Sequence, residues 1–159
     1  EKQFGENSNY PGFSKIKRIA IVFEQSESAE RAVSDFVKKL TGEGKQLNVL
    51  TYIPKKRKEI LEYKAFDYFC KDDVNWYGKP KPEAVSDFTK EQYDVLITLN
   101  DKTSPVQFIT LSTKASFTVG LSSSDLSVLD LQVAKPENGD YASVFKEVDY
   151  YLRFINKAD

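Results

Sequence analysis

Two short segments hold the residue types with which this chain could grip a ligand: Glu24-Gln25-Ser26-Glu27-Ser28 and Asn100-Asp101-Lys102-Thr103-Ser104. Each follows an apolar run (Ile19-Ala20-Ile21-Val22-Phe23 and Tyr93-Asp94-Val95-Leu96-Ile97-Thr98-Leu99) and each precedes a helix signal. Each is therefore the polar mouth of a strand-to-helix turn. Unpaired amides at a helix start, together with serine and threonine hydroxyls, suit an anion or a small polar molecule. The same hydroxyls suit the capping of the helices that follow, and the sequence leaves both roles open. The candidate ligand set is Gln25, Ser26, Ser28, Asn100, Asp101, Thr103 and Ser104, with Ser122 alongside, next to Gly120. Glu24, Glu27 and Asp101 oppose a phosphate unless Lys102 compensates, so a neutral polar or cationic ligand fits better than a nucleotide.

Catalysis finds few tools. The chain has no histidine, the commonest general base and a leading metal ligand. A base would have to be Glu24, Glu27, Asp101 or Lys102, and no pair of these shows a diagnostic spacing. The lone thiol, Cys70, ends the aromatic run Phe66-Asp67-Tyr68-Phe69-Cys70, which reads as a buried strand. It is expected to be structural and slow to react, because a reactive thiol needs a lowered pKa. No catalytic residue, metal site or cofactor is expected. The leading expectation is a small non-catalytic binding or interaction domain. The alternative is an enzyme, or a phosphate-, nucleotide- or nucleotide-sugar-binding domain, using the turns after strands one, four and five.

Charge and composition narrow the partners. Twenty-three basic and 24 acidic residues leave a net charge of −1, without the basic excess of a nucleic-acid binder. The one basic cluster, Lys55-Lys56-Arg57-Lys58 after Pro54, is diluted by Glu59 and Glu62 and reads as a solvated turn. No apolar run approaches the roughly 20 residues of a membrane span. The expected partner is a protein or a small polar ligand, with no nucleic acid and no membrane. A single cysteine and no disulfide framework point to the cytoplasm. The chain starts at Glu1 and lacks methionine, which leaves open a signal or anchor upstream.

The elements that position these turns follow from periodicity. Residues 1–14, with Gly5, Asn7, Ser8, Asn9, Pro11 and Gly12, read as a flexible arm, and residues 15–159 as a single α/β domain. The run at 19–23, apolar on both faces, is a central strand covered by helices on both sides. A helix over 26–40 buries Ala29, Ala32, Val33, Phe36, Val37 and Leu40. A second strand over 47–53 completes a βαβ unit. A third strand is read at 65–70, a helix at 83–91 behind Pro82, a fourth strand at 93–99, a helix from Pro105 and a fifth strand at 116–120. Ser122-Ser123-Ser124 lead to a sixth strand at 126–131, and a closing helix spans 141 to about 156. Residues 55–63 read equally as a short helix or a loop.

Strands alternating with helices predict a doubly wound, mostly parallel sheet of five to six strands in three α/β/α layers, Rossmann- or flavodoxin-like, with order 3-2-1-4-5. The sixth strand lies beyond the fifth, and its short link makes an antiparallel edge the natural expectation. Ligands in such sheets bind where strand order reverses, here between strands one and four. The glycine-rich turn of a dinucleotide site and the phosphate loop of a flavodoxin are both missing after strand one. Asp72 or Asp73 could serve as a receiver domain's phosphorylated aspartate, but Leu121 stands where its lysine belongs.

The stretch Tyr93-Asp94-Val95-Leu96-Ile97-Thr98-Leu99-Asn100, the helix from Pro105, and Ser112-Thr113-Lys114-Ala115-Ser116-Phe117-Thr118-Val119-Gly120 resemble a family of uncharacterised Bacteroidetes proteins. The strand at 19–23 and the closing Tyr150-Tyr151-Leu152 helix fit the same family. The resemblance implies a lineage and a location but no site. The middle segment is also similar to the amino-terminal half of heptosyltransferase-like glycosyltransferases, through Asp94 to Leu99 and Ala115 to Gly120. That family holds its nucleotide-sugar donor in a carboxyl-terminal half, so the similarity implies the fold and argues against independent glycosyl transfer.

Overall fold

The computed structural model describes residues 3–4, 10–100, 104–122, 128–134 and 137–155. Its strands are β1 (Gln3–Phe4), β2 (Arg18–Glu24), β3 (Gln46–Ile53), β4 (Asp67–Cys70), β5 (Gln92–Thr98), β6 (Lys114–Leu121) and β7 (Leu131–Val133). Its α-helices are α1 (Glu27–Gly42), α2 (Pro82–Thr89), α3 (Pro105–Ser112) and α4 (Tyr141–Phe154). They form one sheet in the order β1-β7-β6-β5-β2-β3-β4, in which β2 to β7 are mutually parallel. This is the expected 3-2-1-4-5 order with the sixth strand beyond the fifth.

The strand pleat sorts side chains into two layers. Ile19, Ile21 and Phe23 of β2 join Val95 and Ile97 of β5 and Phe117 and Val119 of β6 beneath α1 and α4. Ala20 and Val22 of β2, Leu50 and Tyr52 of β3 and Leu96 of β5 pack on the other face, against α2 and α3. Both faces are covered, which is why β2 and β5 read as continuous apolar runs.

Local chemistry closes the elements. The α1 helix ends in a Schellman pair: the Gly44 amide bonds to Thr41 O at 3.0 Å and the Lys45 amide to Leu40 O at 3.0 Å. That geometry needs the left-handed backbone Gly44 adopts, with φ +86°. At the start of β2, the Asp94 carboxylate accepts from the amides of Lys17 (2.7 Å) and Arg18 (3.0 Å) and joins the central strands at their lower ends.

One expectation changes, and two segments gain detail. The sixth strand is β7 at 131–133, three residues long, and it runs parallel to β6 rather than antiparallel. Of the predicted run 126–131, residues 126 and 127 lie outside the described residues, while 128–130 form a turn and bend. Asp130 takes the place of a strand residue there: its amide donates to Thr118 O (2.8 Å) and its carboxylate accepts from the Thr118 amide (2.8 Å). Residues 55–63 form a loop with one 3-10 turn at Arg57–Glu59. Within the stretch expected as an arm, Gln3–Phe4 pairs antiparallel with β7. Tyr10 is buried there too, its ring 4.9 Å from that of Phe117 and its hydroxyl donating to the Leu152 carbonyl.

Candidate functional site

Strand order reverses between β2 and β5, which pair from Ile19↔Val95 to Val22↔Thr98. The chain leaves β2 toward β3 and leaves β5 toward β6, so Gln25-Ser26 and Leu99-Asn100 follow the same ends of neighbouring strands. The Leu99 amide donates to Val22 O at 3.3 Å across this point.

Three hydroxyls of the turns, those of Ser26, Ser28 and Ser104, are spent within the protein. Ser26, in extended backbone, accepts from the Ala29 amide at 3.1 Å and so caps α1. The Gln25 amide donates to Tyr52 O at 2.8 Å. Ser28 turns away from β5 and donates to the Gly139 carbonyl. Ser104 caps α3 by accepting from the Val106 amide at 3.1 Å, and its hydroxyl donates to Asn100 Oδ1 at 3.2 Å. The Ser122 amide donates to Val133 O at 2.7 Å, and its side chain is exposed. Asp101, Thr103 and Lys102 lie outside the described residues. The structure therefore brings Asn100 and Ser104 together. Ser26 and Ser104 each serve a helix start, and Ser28 belongs to the approach of α4.

The neighbouring Gly120 is filled from within. A side chain there would begin 2.7 and 2.8 Å from the two Leu129 methyls and 3.2 Å from Thr98 Cγ2. Leu129 is buried, so the glycine admits a leucine of the same chain. Beneath it the Thr110 hydroxyl meets Thr98 Oγ1 at 3.0 Å and the Val106 carbonyl at 3.1 Å.

Cys70 lies fully buried at the end of β4. Burial first, and the nearby Asp73 charge as well, push its thiol above the ordinary range, despite a backbone hydrogen bond and Arg57 acting the other way. The thiol points to the Asp73 carboxylate at 3.5 Å, where a thiolate would be repelled. For Asp73, burial works upward, but the Cys70 amide and the Arg57 guanidinium outweigh it and hold the carboxyl below its usual range. Among the described residues no group of three or more Cys, Asp or Glu side chains is placed to hold a metal.

One feature was not legible in the sequence. The ladder between β3 and β4 begins only at Leu50↔Asp67. Among the described residues no strand stands opposite positions 46–49 on that side. Backbone groups alternate sides along a strand, and on β3 the even positions face β2, since the Gln46 amide reaches Lys17 O (2.8 Å) and Tyr52 O receives the Gln25 amide. Leu47 and Val49 therefore turn their backbone outward, to the open edge. Against this edge lies a groove of 1020 Å³, walled by Val37, Val49 and Phe66 on the α1 side and by Leu50, Val85 and Phe88 on the α2 side. Asn48, Asp67 and Asp87 add polar groups to its lining. Tyr63, also in the wall, donates to Glu30 Oε1 at 2.7 Å, and burial together with that carboxylate keeps its phenol protonated well above the ordinary range. Periodicity predicts nearly equal lengths for these strands, 47–53 and 65–70, whereas the structure sets an eight-residue β3 beside a four-residue β4.

No curated protein and no solved structure matches the chain. A family of unknown function (DUF6913) matches residues 1–155, and the chain, an α/β domain with a doubly wound sheet, belongs to that family.

Proposed function

We propose that this domain is a non-catalytic interaction module that takes up an extended polypeptide segment in the groove along the open edge of β3. The observation that carries this reading is the outward backbone of Leu47 and Val49 beside a groove with apolar walls on both sheet faces. An added strand gains main-chain hydrogen bonds from such an edge, and walls on both faces receive its alternating side chains. Native domains usually cover or charge a long apolar edge, which makes the opening notable. The hydroxyls at the strand-order reversal support the same reading, because Ser26, Ser28 and Ser104 are engaged in local bonds.

The reading goes with residence in the cytoplasm, for which the single thiol argues. It also goes with the lineage implied by the resemblance to uncharacterised Bacteroidetes proteins. The similarity to the amino-terminal half of heptosyltransferase-like enzymes goes with the same α/β fold.

A displayed library of random peptides selected on the native protein tests the proposal. Enriched peptides are expected to alternate apolar and polar residues, and Val37→Arg, which places a charge on the groove wall, is expected to weaken them by about tenfold or more. Circular dichroism of the variant should match that of the parent. No enrichment, or equal affinity for the folded variant, overturns the reading.

A further inference from the structure

A second surface stands at the carboxyl ends of β3 and β4, where two loops are locked into one platform. Residues 74–80 form a stub hairpin: Val74 bridges Pro80, the Asn75 amide donates to Lys79 O (2.8 Å) and the Gly78 amide to Asn75 O (2.9 Å). Gly78 takes the left-handed backbone, φ +89°, that this turn requires. The loop after β3 is pinned to the hairpin's foot. The Lys71 amide donates to Lys55 O (3.0 Å), the Arg57 amide to Asp72 Oδ2 (2.9 Å) and the Arg57 guanidinium to Asp73 Oδ2 (2.5 Å).

Two apolar side chains on these loops are almost wholly in water: Trp76 is 95% exposed and Leu61 92%. Tyr77 sets its ring at 82° to that of Trp76, with centroids 5.2 Å apart. The two loops that carry them, 54–66 and 71–81, hold eight basic and four acidic residues, in a chain of net charge −1. Asp72 and Asp73 are already engaged by Arg57, and Lys55, Lys56, Lys58, Lys71 and Lys79 are all exposed. The positive charge is therefore concentrated at one end of the sheet. The expectation of no membrane partner rests on the lack of a spanning apolar run, which does not register such a surface patch.

We propose that this platform docks on an anionic bilayer surface, with Trp76 at the hairpin apex entering the interface and the lysines meeting lipid phosphates. The hairpin apex, Asn75-Trp76-Tyr77-Gly78, carries no charge, and the lysines stand at its foot and on the adjoining loop. Apolar apex first and cations behind is the order in which a bilayer presents its acyl boundary and its phosphates. Tryptophan favours that boundary, and juxtaposed lysines gain from an anionic leaflet. A nucleic-acid strand would stack on Trp76 but would need cations level with the ring, where the apex carries none. Among the described residues no helix is long and apolar enough to cross a membrane, so the contact is one of surface docking.

Trp76 is the sole tryptophan, so its emission reports on the platform alone. Vesicles of phosphatidylcholine with about 30% phosphatidylserine are expected to sediment the protein and shift its emission to the blue, with binding that weakens as salt rises. Pure phosphatidylcholine should do neither. Trp76→Ala, and separately Lys55→Ser with Lys56→Ser and Lys58→Ser, should each weaken sedimentation by about tenfold with an unchanged circular dichroism spectrum. Val37→Arg should bind vesicles like the parent, so a failed groove and a failed platform give different results. Absence of sedimentation, sedimentation without a blue shift, or capture of a thymidine oligonucleotide of about 20 nucleotides in preference to the vesicles overturns the proposal.

Discussion

Replacing Phe117 with alanine is expected to lower the unfolding free energy by about 3–5 kcal/mol. Phe117 is fully buried on β6, between β5 and β7, and its ring meets Tyr10 at a centroid distance of 4.9 Å. The substitution removes a ring from the layer beneath α4 and leaves a cavity that parallel strands, paired on both sides, close only in part. It also withdraws the surface that holds Tyr10, whose hydroxyl ties the amino-terminal segment to the Leu152 carbonyl. Urea unfolding followed by circular dichroism measures the loss. A change under about 1 kcal/mol would mean that β6 does not lie within the core.

Ser26→Ala and Ser104→Ala form the second prediction. Each removes the side-chain acceptor of a helix start, the Ala29 amide losing its partner in α1 and the Val106 amide in α3. Each is expected to cost about 1 kcal/mol, and the pair about 2, because the two caps belong to different helices. Binding of groove-selected peptides should not change. Lost ligand binding at unchanged stability would return the reversal point between β2 and β5 to the place of the binding site.

The apolar runs of β2 and β5 and the stripe of α1 carried the fold in plain sight, because a strand covered on both faces must be apolar on both faces. The helix starts were legible for the same local reason: Ser26 and Ser104 sit where their hydroxyls meet amides two or three positions on. What the sequence did not show depends on relations between distant segments. β7 runs parallel to β6, and ahead of it Asp130 supplies with one carboxylate and one amide what a longer strand would supply with its backbone. The groove beside β3 exists because β4 starts late, and nothing in residues 47–50 alone announces that their neighbour is short. The basic run at 55–58 looked diluted by Glu59 in a linear reading. The structure ties it to Lys71, Asp72 and Asp73, at the foot of the hairpin that carries Trp76 and Lys79, through bonds from Lys55 and Arg57.

Amide hydrogen exchange tests the central claim most directly, since it reads the open edge of β3 residue by residue. In the free protein the Leu47 and Val49 amides, which face outward, should exchange far faster than those of Ile21 and Val22 on β2, held between two strands. Adding a groove-selected peptide should slow Leu47 and Val49 and leave Ser26 and Ser104 unchanged. Protection of Leu47 and Val49 equal to that of Ile21 in the free protein, or peptide-induced protection at Ser26 and Ser104 instead, would contradict it.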